Sequence, residues 1–171
     1  MTRYVAFLRA VNVGGTGKLP MAELRAMCES IGCTNVRTYI ASGNVVFDSR
    51  LSEASLKTRL EKCLMTYAGK PVGVLIRSGA ELAAILAGNP FKSAAPNRTV
   101  AIFLDAPPPA DLASHVSGQQ DEELAPGTRE IYVHYSKGIA NSKLKIPAAQ
   151  HGTARNMNTV ATLVEWVARS D

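Results

Sequence analysis

Tyr4-Val5-Ala6-Phe7-Leu8-Arg9-Ala10-Val11-Asn12 is the stretch that decides the fold. Alternation puts Ala6, Leu8 and Ala10 on one side and Val5, Phe7 and Val11 on the other. Apolar side chains on both sides mark a strand covered above and below, an inner strand of its sheet. Arg9 interrupts the run and no small-residue cleavage pattern follows, so the segment reads as a buried strand rather than a leader.

Outward from this strand the chain alternates. After a glycine-rich loop, Pro20 suits a first helical position, and Met21, Leu24, Met27, Cys28 and Ile31 keep a helical period that Gly32 ends. Val36–Ile40 and Val45–Asp48 are β-rich and joined by the turn signal Ala41-Ser42-Gly43-Asn44. Ser52 caps a helix carrying Leu56, Leu60, Leu64 and Tyr67 on one face, and Val72–Ile76 follows as a strand. This is the βαββαβ order of a ferredoxin-like unit, complete by Arg77. The second half opens on a capping box, Ser78 with Glu81, and a helix ending near Gly88. A strand at Val100–Leu104, a short helix around Leu112 and Val116, a hairpin turning at Pro126-Gly127 and a strand at Ile131–Tyr135 come next. Residues 136–152 read as a long loop leading into a last helix with Val160, Leu163, Val164 and Val167 on one face. The expected fold class is α+β, with two ferredoxin-like (α-β plait) subdomains, 1–78 and 79–171, packed together.

Composition narrows the functions. Among 171 residues, 46% are hydrophobic and 19% charged, which suits a globular core. No apolar run reaches the roughly 18 residues of a membrane span, so no membrane role is expected. Cys28, Cys33 and Cys63 are odd in number and show no paired spacing, which fits a reducing cytoplasm. The net charge is +5, and it is uneven. Residues 1–78 hold eleven Lys/Arg against five Asp/Glu, residues 79–171 eight against nine. No acid occurs between Glu130 and Glu165, a stretch holding Lys137, Lys143, Lys145 and Arg155. Such a bias favours an anionic partner, a small molecule or nucleic acid; a solvated basic surface is the plainer alternative.

Several motifs fail. Gly14-Gly15-Thr16-Gly17-Lys18 lacks the spacing of a phosphate loop, and Leu19 supplies no hydroxyl for magnesium. What survives is a glycine turn, a lysine and a helix start, a weaker anion-binding combination. His115, His134 and His151 lack metal-ligand spacing, so no metal is expected, and no nucleophile elbow or acid/base pair is present. No cofactor is implied. Phe7, Arg9, Arg37, Tyr39 and Phe47 could display an RNA-binding sheet face, but the basic-aromatic signature of that module is absent.

Three segments carry a resemblance: Phe7–Gly15, Thr38–Phe47 and Thr153–Val160, with Met21-Ala22-Glu23-Leu24 between the first two. In this order and spacing the chain resembles the uncharacterised family called domain of unknown function 1697. The resemblance implies two α-β plait subdomains and no established activity. The family's last segment usually has an aromatic where this chain has Met157; a ring that only packs is easily replaced by Met.

The polar residues of these segments are the candidate ligand-binding set: Arg9, Asn12, Gly14, Gly15, Lys18, Ser42, Asn44, Arg155, Asn156, Asn158 and Thr159. One reading is a pocket between the halves for an anionic ligand, with Arg9, Lys18 and Arg155 as charge and the asparagines orienting. The other is a network of caps and turn bonds in which Asn156, Asn158 or Thr159 caps the last helix. An enzyme using the same cluster, or an interaction module without a small ligand, are further alternatives. With no acid nearby in sequence, Arg155 reads as a pocket residue whose exchange for Ala leaves stability nearly unchanged.

Overall fold

The computed structural model describes residues 1–10, 18–40 and 43–168. It is an α+β chain with two four-stranded antiparallel sheets and, among the described residues, four α-helices. The chain forms two compact units, Met1–Leu82 with Leu163–Asp171, and Ala83–Thr162.

In unit 1 the order is β1 (Thr2–Leu8), α1 (Met21–Ser30), β2 (Thr34–Tyr39), β3 (Asn44–Ser49), α2 (Glu53–Ala68) and β4 (Val74–Ser78). The sheet runs β2-β3-β1-β4, so β1 is an inner strand, and Val5 to Leu8 are completely buried. The strand is shorter than its apolar run. It ends at Leu8, Arg9 and Ala10 bend away, and Val11 and Asn12 lie outside the described residues. Tyr4, Ala6 and Leu8 share one core with Leu24, Met27 and Cys28 of α1 and Leu56, Leu60 and Leu64 of α2, so both helices cover one face. Pro20 is the N-cap rather than the first helical residue, while Ser52 caps α2 as expected, accepting from Ser55 N–H at 3.2 Å.

The other face of this sheet meets the last turns of α4 (Met157–Ala168). Arg37 Cζ lies 3.6 Å from the Trp166 ring centroid, and Tyr39 meets that ring edge-on at 5.2 Å. Arg3 donates to Trp166 O at 3.4 Å and to both Asp48 carboxylate oxygens at 2.9 and 3.2 Å. The Arg3 guanidinium holds Asp48 below the usual carboxylate range.

The Ser78–Glu81 capping box opens α3 (Gly79–Ala87): Glu81 N–H donates to Ser78 Oγ at 3.1 Å and Ser78 N–H to Glu81 Oε1 at 3.0 Å. Unit 2 then runs β5 (Thr99–Phe103), β6 (Glu123–Pro126), β7 (Glu130–His134) and β8 (Thr153–Asn156), in sheet order β6-β7-β5-β8. Its strand order repeats that of unit 1. Where unit 1 carries α1 and α2, unit 2 has single 3₁₀ turns, Leu112–His115 and Pro147–Ala149. β8 corrects the sequence reading, which ran a loop straight into the last helix. Its four residues, Thr-Ala-Arg-Asn, show no apolar alternation. They form a strand because β5 offers a free edge, pairing Ala101 with Arg155 and Phe103 with Thr153.

Candidate ligand-binding site

One end of the unit 1 sheet gathers several of the sequence candidates. Where β1 ends, Leu8 N–H donates to Gly43 O and Arg9 N–H to Gly73 O, both at 2.9 Å. The end of β1, the β2–β3 turn and the start of β4 therefore sit together. Asn44 is fully buried and donates from Nδ2 to Tyr39 O at 3.0 Å, which closes the hairpin. Arg9 is half-buried and crosses Gly73, where an added Cβ would stand 2.9 Å from Arg9 Cδ.

Two non-glycine residues here hold left-handed backbone, Ala10 at φ 50° and Ile40 at φ 49°. That conformation costs a β-branched residue about 1–2 kcal/mol. Ile40 is 52% exposed and so gains little from burial. Ile40→Gly is expected to raise stability by roughly 1 kcal/mol in urea denaturation, even after the entropic cost of glycine. A loss of stability would show that Ile40 is not strained.

Beside this end lies a hollow of about 230 Å³. Leu19, Leu64 and Val72 form its floor, the first two 5% and 1% exposed. Exposed Lys18 and Lys70 bring ammonium groups, and no carboxylate lines it among the described residues. Tyr67, 45% exposed, supplies an aromatic wall. Local chain physics sets these positions. Lys18 and Leu19 lead into α1 at Pro20, and α2 ends at Gly69, whose φ of 72° turns the chain so that Lys70 follows the last helical turn. An adjacent hollow, sharing Val72, is lined by Glu61, Met65, Pro71 and Gly73; Glu61 there binds Lys57 and Val74 N–H, both at 3.0 Å.

Arg155, Asn156, Asn158 and Thr159 belong to unit 2, at the junction of β8 and α4. Asn156 Oδ1 accepts from Thr159 N–H at 2.9 Å and caps α4. Asn158 is exposed and Thr159 is buried. Arg155 is 8% exposed and donates to Thr153 Oγ1 at 2.8 Å and Ala154 O at 2.9 Å; burial pulls its guanidinium down to about 10. Met157 is buried, as a packing residue is. Asn12, Gly14, Gly15 and Ser42 lie outside the described residues.

Other chemistry finds little support. Phe7 and Phe47 are fully buried, and Arg37 and Tyr39 engage Trp166, so the sheet presents no open aromatic platform from these residues. Burial pushes the Cys33 thiol up to about 11 and Cys28 higher still, which keeps both protonated at neutral pH. No group of three His, Cys, Asp or Glu able to hold a metal occurs among the described residues, and none of their helices is long and apolar enough to cross a membrane.

The sequence reading missed Tyr67 and Lys70. Tyr67 has the spacing of the α2 core stripe, yet it stands exposed in the last turn of the helix. The signal available was Gly69, which marks the helix stop and turns Lys70 back.

No curated protein matches the chain. Among solved structures it is similar to the conserved bacterial protein SP0830 from Streptococcus pneumoniae, at 27% sequence identity and a TM-score of 0.78, covering 97% of this chain and 98% of that one. Residues 1–132 match the family model described as "Protein of unknown function (DUF1697)", and the chain belongs to that family.

Proposed function

We propose that this protein binds a small organic anion in the hollow of unit 1. The observation that carries the reading is the pair Lys18 and Lys70 over an apolar floor with no lining carboxylate among the described residues. Two ammonium groups without a competing acid favour a ligand anion, and the floor gives the remainder of that ligand apolar surface to cover. The basic excess of residues 1–78 adds a favourable long-range field. We further read both units as ferredoxin-like plaits. The shared strand orders β2-β3-β1-β4 and β6-β7-β5-β8 support this, as does the βαββαβ order of unit 1. Free cysteines, two of them buried, fit a cytoplasmic setting.

Ligand-observed NMR with acetate, inorganic phosphate, 2-naphthoate, ATP and a single-stranded oligonucleotide tests the reading. At least one small anion is expected to bind. Each of Lys18→Ala and Lys70→Ala should weaken it about tenfold, since a charge-assisted bond is worth about 1.5 kcal/mol or more. Both lysines are exposed, so folding should not change. Binding untouched by either exchange, or no small anion bound, overturns the proposal. Oligonucleotide binding that weakens steeply with salt would transfer the basic surface to nucleic acid.

A further inference from the structure

We infer that the ligand of this hollow is a ring-bearing molecule with a single anionic group, such as an aryl or heteroaryl carboxylate, rather than a polyphosphate. The inference rests on the anion-binding reading above and names its chemical class. Size is the first constraint. A hollow of about 230 Å³ suits a ring with a short arm. It lies below the roughly 300–1,000 Å³ of pockets for drug-sized ligands.

Charge is the second constraint. Two helix ends border the hollow with opposite signs. The N-terminus of α1 follows Leu19, and the C-terminal turn of α2 supplies Tyr67 and Ala68 to the lining. Each end carries about half a unit charge, so the two largely cancel and leave the lysines in control. Lysines are compact point charges without the bidentate fork of arginine. Two of them neutralise one carboxylate with charge to spare, but they leave a triphosphate far from compensated.

Shape is the third. Leu19 and Leu64 form a buried apolar floor, and the Tyr67 ring stands exposed beside it. An exposed aromatic above an apolar floor next to cations matches a flat ligand body with its charge at one end, because offset or edge-on ring contacts add to area burial. The acidic neighbour, Glu61 in the adjacent hollow, is occupied by Lys57 and Val74 N–H and does not compete for the lysines.

Dissociation constants for 2-naphthoate, acetate, 2-naphthylmethanol and ATP, measured with the full chain at physiological salt, test this class. Naphthoate is expected to bind at least tenfold more tightly than each of the other three. Tyr67→Ala should weaken naphthoate several-fold while leaving acetate unchanged, and Tyr67→Phe should restore it. Lysine-dependent binding of ATP that equals or exceeds that of naphthoate overturns the inference while the anion-binding reading stands. Naphthoate binding that ignores Tyr67 also overturns it. If no probe binds, both fall.

Discussion

Gly118→Ala is expected to destabilise unit 2 by about 3 kcal/mol or more, combining a left-handed backbone with a steric overlap that cannot relax cheaply. Gly118 has φ 72°, and a Cβ there would overlap the Lys143 carbonyl oxygen and stand 2.8 Å from its carbon. Both obstacles are backbone, and that backbone is held on either side. Ser117 and Lys145 exchange hydrogen bonds of 3.1 and 2.8 Å. Leu144 and Ile146 pack against the unit 2 core, and Ser142 Oγ donates to Glu122. The chain around Gly118 cannot retreat without breaking this pairing. Gly138→Ala provides the contrast. Its φ is 85°, but nothing lies within 4 Å of the added atom, so only the conformational cost of about 1–2 kcal/mol applies. Urea denaturation of the two variants separates the terms. Equal, small losses would show that Gly118 does not approach Lys143. Hydrogen exchange offers a second reading: amide protection at Lys145 should fall in Gly118→Ala and persist in Gly138→Ala.

This segment also shows why the second half was harder to read than the first. Unit 1 announces itself through long periodic helices and a two-sided apolar strand, signals that survive without tertiary context. Ser52 and the Ser78–Glu81 pair are legible for the same reason, since a cap is a local bond between neighbours in sequence. In unit 2 the helices shrink to single 3₁₀ turns, too short to show a period. The strand at Thr153–Asn156 exists because of its partner β5, and no pattern of its own foretells a pairing across fifty residues of chain. Residues 136–152 read as a loop, and the structure adds one 3₁₀ turn, Pro147–Ala149, to it. What ties them down is one bridge, polar bonds from Asp121 and Glu122, and the packing of Leu144 and Ile146 on the unit 2 core, visible only once the chain has folded.

The candidate site divides in the same way. Asn44 and Asn156 were legible as polar residues at turns and helix starts, and both act there as backbone partners. Lys18 was legible as the cation after a glycine turn. Its companions Tyr67 and Lys70 come from the far end of another helix, nearly fifty residues on, and proximity of that kind is a property of the packed unit.

Arg155→Ala is expected to cost about 2–4 kcal/mol, the reverse of what its sequence context suggests. A stretch without acids argued for a solvent-facing cation whose loss is cheap. The structure instead buries the residue in β8, with hydrogen bonds to Thr153 Oγ1 and Ala154 O. Burial pulls its guanidinium down to about 10, so the charged form is disfavoured in the folded state relative to the unfolded chain. At pH 7 both states remain protonated, and this part of the stability does not vary with pH near neutrality. Truncation to Ala removes packed methylenes of a buried side chain and its hydrogen bonds to Thr153 Oγ1 and Ala154 O. Arg155→Met separates those losses, because it keeps much of the side-chain volume while removing the charge; it should cost clearly less than Ala, since buried cations are often replaceable by apolar groups of similar size. Arg155→Lys restores a charge but not the planar fork, and should fall short of wild type. Urea denaturation of the three variants at pH 7 decides the matter. A midpoint for Arg155→Ala within error of wild type would return Arg155 to the solvent-facing role its sequence context suggested.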